Sequence, residues 1–469
     1  MVSRASVTQH ERRLVAFLSH PANYPHPVGT IERRETHVSH VFLAGGFAYK
    51  LKKPVTFPFL DASTLAKRKR FCLLEITLHR RLAPAVYLGV VPVTATRTGL
   101  QLGGSGRIIE WVVKMCRLPE PRMLDRLVAA RRVSHREIMG VADQLVRFFQ
   151  RAARSRTINR YGQPAQVAEL VLGNLRECQP FVGRLFSAEE QRFIEGAYRQ
   201  FLVLDEPVLA QRVCEGRIID GHGDLRCENI CLTQPVNIFD CVEFQPAFRC
   251  GDVANDLSFL VMDLEFRGRD DLAAALVDRY RARLTDATIE RVLPFYKCHR
   301  SLVRGKVRGL AWLQHPTTAE GRRIRELARR HFALARHYAQ QFSRPRLIAI
   351  GGLIGTGKST LTRSLSQALG ATWLRTDEIR VGEFAHTRRS RQGFSDGLYA
   401  PRVSMLVYER LIQRAEAIVR AGGSVVCDGT FSKASGRQAL RRIAKRCGAS
   451  FYFFECVVPR AVARRRVAV

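Results

Sequence analysis

Residues 218 to 244 read IIDGHGDLRCENICLTQPVNIFDCVEF, and this stretch sets polar side chains at fixed points around two short apolar runs. The runs at 230–232 and 236–239 are predicted to be strands, because the Thr-Gln-Pro between them is a turn sequence. A hairpin brings the residue before its first strand and the residue after its second strand to the same end. The sequence therefore predicts that Asn229 and Asp240 lie side by side.

The polar residues of this stretch have the spacing that phosphoryl transfer requires. His222, Asp224 and Asn229 form the pattern H-x-D-x-x-x-x-N, which is typical of a loop that acts on a hydroxyl group. Asp224 is predicted to be the catalytic base, and His222 to brace the loop rather than react. Asn229 and Asp240 offer the hard oxygen atoms that Mg²⁺ prefers, so both are predicted metal ligands. The alternative interpretation is a buried polar turn in an ordinary hairpin.

The sequence around these residues resembles a known group of kinases. The segments H-G-D-L-x-x-E-N-I, I-F-D-C-V-E-F and, at residues 251–257, G-D-V-A-N-D-L together resemble the aminoglycoside-phosphotransferase-like kinases. Gly223 stands where protein kinases have Arg, and Asp240-Cys241-Val242 replaces D-F-G. The resemblance implies that Asp256 hydrogen-bonds the backbone of the catalytic loop.

The chain as a whole resembles a bacterial bifunctional family in which such a kinase domain is fused to an ATP-binding P-loop domain. The resemblance implies an α+β bilobal, protein-kinase-like domain over residues 1–342, with an N-lobe at about 28–115 and a C-lobe at about 120–342. An α/β P-loop NTPase domain is expected to follow over residues 346–469.

The N-terminal region carries the lysines that a kinase N-lobe needs. Strands are predicted at 35–43 and 48–51, and the second places Lys50 and Lys52 on one face because side chains alternate along a strand. The helix predicted to follow carries Glu75, the natural partner of a phosphate-binding lysine. Lys50, Lys52 and Glu75 are therefore predicted to bind the nucleotide, with the choice between the two lysines open. A solvated charge run is the alternative interpretation.

Two further parts of a nucleotide site are predicted in this region. No G-x-G-x-x-G precedes the strands, so the polar segment Thr36-His37-Val38-Ser39 is predicted to cover the phosphates. Strands are predicted at 87–93 and 108–115. Residues 110–115 stand where the family has its hinge between the lobes, and adenine is expected to stack nearby.

A second nucleotide site is predicted from residues 346 to 359, which read RLIAIGGLIGTGKS. An apolar strand runs into G-x-x-x-x-G-K-S and then into a helix, the context that lets backbone N–H groups cradle phosphate. Lys358 is predicted to reach the phosphates and Ser359 to reach Mg²⁺. The predicted nucleotide-binding residues are Gly352, Gly355, Thr356, Gly357, Lys358, Ser359 and Thr360.

Three polar residues downstream complete the predicted P-loop site. Asp377 and Arg380 form D-x-x-R, which resembles small P-loop kinases, including polynucleotide kinases. The resemblance implies that Asp377 is the base for an acceptor hydroxyl and that Arg380 holds an acceptor phosphate. Asp428 follows the third predicted strand, where an α/β sheet places site residues, and is a predicted metal ligand. Either Asp could instead cap a helix.

The P-loop domain is expected to be truncated at its C-terminus. Related domains continue past the fourth strand, here 451–457, through a mobile lid that carries catalytic arginines, of which Arg464-Arg465-Arg466 would be a stub. We therefore expect this domain to bind nucleotide, while its turnover stays open.

Composition limits the partners and the compartment. The 469 residues carry a formal net charge of +34, with 76 Lys and Arg against 42 Asp and Glu. The basic residues are spread along the chain, so a nucleic-acid partner stays open but is not favoured over phosphorylated ligands. The 12 Cys residues show no zinc spacing and are predicted to be free thiols. A cytoplasmic protein without a membrane segment is expected, and its oligomeric state stays open.

These patterns predict an ATP-binding phosphotransferase that uses ATP and Mg²⁺ and acts on a hydroxyl of an unidentified small molecule. One rival is a regulatory protein that senses nucleotides without turnover. Another is a nucleic-acid 5′-kinase that works through the P-loop domain.

Overall fold

Two sheets of different type organise the chain. The computed structural model describes residues 4–57, 60–97, 99–384 and 400–467. The chain divides into two units, Met1–Gln163 with Gln211–Ile289, and Pro164–Ala210 with Glu290–Val469. The predicted boundary at residues 343–345 lies within the second unit.

The strands of the first unit begin with a six-stranded antiparallel sheet and continue as short pairs. In chain order they are β1 (Ile31–Glu35), β2 (Ser39–Ala44), β3 (Phe47–Lys52), β4 (Thr56–Phe57), β5 (Leu60–Asp61), β6 (Tyr87–Thr96), β7 (Gly99–Leu102), β8 (Arg107–Cys116), β9 (Ile218–Asp220), β10 (Ile230–Cys231), β11 (Asn237–Ile238) and β12 (Cys250–Asp252). The large sheet has the order β1-β2-β3-β8-β6-β7. β10 pairs with β11 and β9 with β12, both antiparallel.

Helices form most of the remainder of the chain before the P-loop. In chain order they are α1 (Arg4–Leu18), α2 (Leu65–His79), α3 (Leu124–Ala129), α4 (His135–Arg151), α5 (Arg156–Asn159), α6 (Pro164–Glu177), α7 (Ala188–Leu204), α8 (Glu206–Cys214), α9 (Pro246–Arg249), α10 (Val253–Phe266), α11 (Asp270–Arg283), α12 (Ile289–Gln314) and α13 (Ala319–Phe342). α4 shows why they start where they do, since Ser134 and Glu137 form a capping box at its first turn. The helical region predicted between residues 125 and 205 is confirmed.

The two faces of the large sheet have different neighbours, and this decides where the lysines of β3 point. Tyr49 and Leu51 are buried in a core that includes Leu14 and Leu18 of α1. The alternate residues of β3 face the other side, where Ala48 packs in a core with Cys72 and Ile76 of α2. Lys50 and Lys52 share the face of Ala48, because side chains two apart in a strand point the same way. They therefore face α2.

The predicted strand at 35–43 is wrong at its start. β1 ends at Glu35, a turn follows, and β2 begins at Ser39. The Thr36 N–H donates to the Ser39 carbonyl at 2.9 Å, and the Thr36 hydroxyl accepts the Ser39 N–H at 3.0 Å. A hydroxyl that satisfies a turn amide closes the hairpin here. The segment predicted to cover the phosphates is therefore the β1–β2 turn.

The predicted hinge at residues 110–115 is also misplaced. These residues lie inside β8, which pairs with β3 on one side and β6 on the other. Glu110 is buried and receives the guanidinium of Arg68, with Nη2 at 2.7 Å from Oε2. Sheet pairing on both sides leaves this segment no freedom to act as a linker, so the connection to the helices starts after Cys116.

The second unit contains a four-stranded parallel sheet with helices on both faces. Its elements are β13 (Arg346–Gly351), α14 (Lys358–Leu369), β14 (Thr372–Arg375), α15 (Thr376–Phe384), α16 (Pro401–Arg420), β15 (Val425–Asp428), α17 (Ala434–Arg446), β16 (Ser450–Glu455) and α18 (Arg460–Val467). The strand order is β14-β15-β13-β16. Along β13, Leu347 and Ala349 face α16 and α17, whereas Ile348 and Ile350 face α14. The strands predicted before the P-loop, before Asp428 and at 451–457 are confirmed as β13, β15 and β16.

Helix α7 packs directly against this parallel-sheet region. A Cβ on Gly196 would stand 2.7 Å from the carbonyl oxygen of Gly370, so the two backbones touch and only glycine fits. The Gln200 side chain donates to Ser424 Oγ at 3.1 Å and accepts the N–H of Arg344 at 2.5 Å. Helices that the sequence assigns to the kinase-like region thus form one unit with the P-loop region.

Two remaining predictions concern the whole chain. All 12 Cys residues are free thiols, as predicted. Within the described ranges, the helices are all too short or too polar to cross a bilayer.

Candidate active sites

Both lysines of β3 reach the same carboxylate on α2. Lys50 Nζ lies 3.0 Å from Glu75 Oε1, and Lys52 Nζ lies 2.6 Å from Glu75 Oε2. The Glu75 side chain is fully buried, and α2 carries it over the β3 face because Cys72 and Ile76 anchor the helix there. The structure thus brings together all three residues predicted to bind nucleotide in this unit.

The two lysines differ in what they contact next. Lys50 Nζ lies 3.3 Å from Asp240 Oδ1, while Lys52 Nζ lies 2.7 Å from Glu243 Oε1. The Asp240 side chain is 50% exposed, whereas that of Glu243 is 9% exposed. Lys50 therefore lies at the open edge of the cluster and Lys52 lies inside it.

The charges of this cluster hold one another ionised. Burial alone would lower the pKa of Lys50, but the carboxylates of Glu75 and Asp240 outweigh burial and raise that pKa well above its usual value. Burial likewise opposes ionisation of Glu75, yet Lys50 and Lys52 bring the pKa of Glu75 below its usual value. Near neutral pH Lys50 is therefore an ammonium group and Glu75 a carboxylate.

Asp256 hydrogen-bonds the backbone of the predicted catalytic loop, as the resemblance implied. Asp256 is buried near the start of α10, where it accepts the N–H of His222 at 2.6 Å and that of Gly223 at 2.8 Å. A Cβ on Gly221 would stand 2.3 Å from Asp256 Oδ2, so this approach needs glycine. The prediction for Asp256 is confirmed.

His222 braces the loop, as predicted. Its Nε2 lies 3.0 Å from the carbonyl oxygen of Phe239, and its Nδ1 accepts the N–H of Asp224 at 3.3 Å. Burial lowers the pKa of His222 to about 4. A neutral ring that donates through Nε2 ties the loop to the strand that leads into Asp240.

Asp224 and Asn229 lie in direct contact. Asn229 Nδ2 donates to Asp224 Oδ2 at 3.0 Å and to the Asp224 carbonyl at 2.8 Å. Arg226 donates to both carboxylate oxygens of Asp224, from Nε and from Nη2, each at 2.8 Å. The carboxylate is 25% exposed, so it is oriented from two sides and still open to a substrate.

The hairpin brings the two predicted metal ligands to the same end. Ile230 pairs with Ile238, and the N–H of Phe239 donates to the Asn229 carbonyl at 2.9 Å. Phe239 therefore faces Asn229 across the hairpin, and Asp240 is the next residue after Phe239. Because Asn229 donates through Nδ2, its amide oxygen is the atom predicted to bind a cation. The described residues include no group of three or more His, Cys, Asp or Glu side chains that could hold a metal. Two oxygen ligands suit Mg²⁺, which completes its shell with phosphate and water.

The P-loop has the backbone that a phosphate cradle needs. Gly352, Gly355 and Gly357 have φ angles of 134°, 80° and 88°, in the left-handed region that glycine adopts without strain. α14 starts at Lys358, so Ser359 and Thr360 lie in its first turn with the helix N-terminus behind the loop.

The side chains of the P-loop are fixed within the loop and by β15. Thr356 Oγ1 donates to the Leu353 carbonyl at 2.7 Å, and Lys358 Nζ donates to the same oxygen at 2.8 Å. Ser359 Oγ donates to Asp428 Oδ2 at 2.9 Å. Burial raises the pKa of Asp428, which a bound cation would oppose. Ser359 and Asp428 thus fit a shared magnesium site.

The predicted acceptor-side residues lie on α15 with different surroundings. Asp377 lies exposed in the first turn of this helix. Arg380 is buried and donates from Nη1 to Ser404 Oγ of α16 at 3.2 Å. Their roles as base and phosphate ligand stay predictions. On the other side of the loop, Arg466 Nη1 lies 3.5 Å from the Gly355 carbonyl.

Sequence reasoning missed a residue that supports the P-loop from α16. The Tyr408 hydroxyl accepts the N–H of Phe431 at 2.8 Å and lies 3.1 Å from Thr430 Oγ1. The Thr430 carbonyl in turn accepts the N–H of Gly352 at 3.2 Å. Phe431 has a φ of 46°, which costs a non-glycine residue about 1–2 kcal/mol and requires such support. No local motif marks Tyr408.

The arrangement of the first unit is that of a kinase-like protein, and the second unit adds a P-loop domain. The family model described as an AAA domain matches residues 347–469. The chain is 34% identical over 445 residues to "Uncharacterized protein Rv2004c" of Mycobacterium tuberculosis, covering 92% of this chain and 85% of that protein. "Uncharacterized protein Mb2027c" of Mycobacterium bovis matches with the same figures. The chain belongs to the family of these mycobacterial proteins.

Solved structures with weaker likeness cover mainly the region before the P-loop. A choline/ethanolamine kinase family protein from Mesorhizobium loti is 14% identical with a TM-score of 0.39, covering 71% of this chain and 99% of that chain. The aminoglycoside phosphotransferase APH(3'')-Id from Streptomyces rimosus is 15% identical with a TM-score of 0.37, covering 65% of this chain and 99% of that chain. The assignment of the α+β bilobal fold does not depend on these similarities. It rests on the strand order, the Lys50–Glu75 contact and the Asp224 loop.

Proposed function

We propose that the chain is an ATP-dependent phosphotransferase that moves the γ-phosphate of Mg-ATP to a hydroxyl of a small molecule in its first unit. The observation that carries the proposal is the convergence of Lys50, Asp240 and Glu75 in one cluster next to the Asp224 loop. A phosphate-binding cation, a metal ligand and a base on separate elements have little structural reason to meet except around a nucleotide.

The residues have separate tasks in the transfer. Lys50, at the open edge of the cluster, binds the α- and β-phosphates, and Glu75 fixes its position. Asn229 and Asp240 are the residues that would hold Mg²⁺, which supplies charge neutralisation for the phosphates when bound. This assignment selects Lys50 rather than Lys52 as the phosphate ligand, because Lys52 is enclosed by two carboxylates.

The proton of the acceptor passes to Asp224. The acceptor oxygen forms a bond to the γ-phosphorus as the bond to the ADP oxygen breaks, and the hydroxyl proton moves to the carboxylate. Arg226 and Asn229 orient that carboxylate, so it needs little rearrangement when the acceptor arrives. The catalysis is mainly positioning and charge stabilisation.

The second unit is proposed to bind a second nucleotide at the P-loop. Lys358, Ser359 and Asp428 lie within one strand-loop-helix arrangement and the adjacent strand, so the site needs no residue from the first unit. Backbone N–H groups of the loop and the N-terminus of α14 favour a phosphate there.

Calorimetric titration with a non-hydrolysable ATP analogue, together with phosphate-release assays, tests both sites. Wild type should bind two nucleotides, and Lys358→Ala should remove one while leaving most of the phosphate release. Asp240→Ala should weaken the other site and abolish most of the release. If Lys358→Ala instead abolishes release, the P-loop domain is the catalytic one. Binding without any release would indicate a nucleotide sensor.

A further inference from the structure

The segment from Asp240 to Glu243 is tied to the β3–α2 cluster at two points. Lys50 contacts its first residue at 3.3 Å and Lys52 contacts its last at 2.7 Å, while both lysines share Glu75. Two lysines on one strand face therefore bind two carboxylates three residues apart.

We propose that the Lys52–Glu243 ion pair is a positioning device that keeps Asp240 in its metal-binding conformation. The inference rests on the proposed function, since it assumes that Asp240 holds Mg²⁺. Lys52 and Glu243 touch no substrate in this scheme. They act through the backbone of the segment that carries Asp240.

The backbone of Asp240 requires such a restraint. Its φ is 60°, in the left-handed region that residues other than glycine populate sparsely. Sparsely populated conformations persist only where the surroundings enforce them. His222 holds the residue before Asp240, and the His222 carbonyl accepts the N–H of Val242 at 3.0 Å. The Lys52–Glu243 ion pair then fixes the other end of the segment.

The division of labour between the lysines explains why a second pair is needed. Lys50 is the phosphate ligand, so its contact with Asp240 must compete with phosphate oxygens when nucleotide binds. Lys52 has two buried carboxylate partners, and burial alone would lower its pKa, but these carboxylates raise that pKa above its usual value. The Lys52–Glu243 contact can therefore persist while Lys50 exchanges partners.

A purely structural ion pair is the alternative, and the metal dependence separates the two. Buried ion pairs often contribute little net stability, so melting temperatures alone do not decide. Residues behind a metal ligand typically change metal affinity by about 10- to 100-fold. If the ion pair had only a structural role, its loss would not change the affinity for Mg²⁺ selectively.

The test uses the full chain carrying Lys358→Ala, which silences the P-loop site. Binding of the non-hydrolysable ATP analogue is measured against Mg²⁺ concentration for Glu243→Gln and Lys52→Met. We expect the half-saturating Mg²⁺ concentration to rise about 10-fold in both, while affinity in EDTA stays within about 2-fold. Glu243→Gln keeps the side-chain volume, so it serves if Lys52→Met unfolds.

Lys53→Met is the matched control. Lys53 follows β3 and pairs with Glu35 at 2.6 Å, away from the segment. The Mg²⁺ dependence of nucleotide binding by this variant should therefore equal that of the parent. An unchanged Mg²⁺ dependence in Glu243→Gln overturns the positioning role. If the parent itself binds nucleotide independently of Mg²⁺, the proposed function fails first, and the inference with it.

Discussion

Replacing Asp224 by Asn tests the catalytic base while keeping its shape. The amide cannot accept the acceptor proton, and loss of a general base typically costs about 10²- to 10⁴-fold in rate. This corresponds to about 3–5 kcal/mol of transition-state stabilisation at 1.36 kcal/mol per tenfold. The proposed nucleotide contacts come from Lys50 and Asp240, so ATP affinity should stay within a few-fold.

The local structure sets the side effect that must be separated from catalysis. Arg226 donates two hydrogen bonds to Asp224, and an amide accepts through only one atom, so one donor loses its partner. That loss costs about 1–3 kcal/mol of stability. Arg226 keeps its contact with Glu228, which limits the rearrangement.

The assay is phosphate release from ATP, with water as acceptor, measured in the Lys358→Ala background. Urea unfolding of the same variants measures the change in stability. Asp278→Asn is the control, because that carboxylate is 75% exposed on α11 and should change neither quantity. Release within about 3-fold of the parent, at unchanged ATP affinity, would refute the assignment of Asp224 as base.

Three further predictions concern stability and the P-loop. Arg212→Ala should destabilise the fold by about 3–5 kcal/mol in urea unfolding, because the guanidinium is fully buried between Asp252 and Asp286. The free energy of unfolding should fall by about 3 kcal/mol from pH 6.5 to pH 4 because of His222. Its pKa of about 4 in the fold lies below the pKa of a histidine in the unfolded chain, so the unfolded chain binds more protons in this range. Tyr408→Phe should weaken nucleotide binding at the P-loop several-fold by calorimetry, because Phe431 and the loop lose a hydrogen bond.

Each of these has its own control. Arg281→Ala removes an arginine that is 50% exposed and should cost under about 0.5 kcal/mol. His222→Gln should flatten the pH dependence of the urea midpoint in the same window, and an equal slope would assign the effect to other groups. Tyr408→Phe should leave the first unit's nucleotide site unchanged, so a loss at both sites would indicate general unfolding.

The parts that sequence predicted well are those whose residues are close in the chain. The 230–238 hairpin and the loop before α14 are each defined within 15 residues by turn and glycine chemistry, so spacing alone places Asn229 and Lys358. Asp256 needed the resemblance, because only the fold brings α10 under the catalytic loop.

The parts that sequence missed depend on tertiary neighbours. Alternation puts Lys50 and Lys52 on one face but cannot tell which lies at the open edge, since Asp240 and Glu243 decide that from about 190 residues away. The turn at Thr36 was missed because the segment Thr36-His37-Val38-Ser39 contains no Gly, Pro, Asn or Asp to mark it.

The contact between Gly196 and Gly370 has a practical consequence for dissecting the protein. A fragment that starts at residue 346 contains the whole P-loop, yet it exposes the Gly370 backbone and deprives Ser424 of Gln200. An inactive or aggregating fragment of this kind would therefore report on its missing helices rather than on its nucleotide chemistry. The P-loop region is better isolated together with residues 164–210 and 290–345, by circular permutation or co-expression, than by a single cut in the chain.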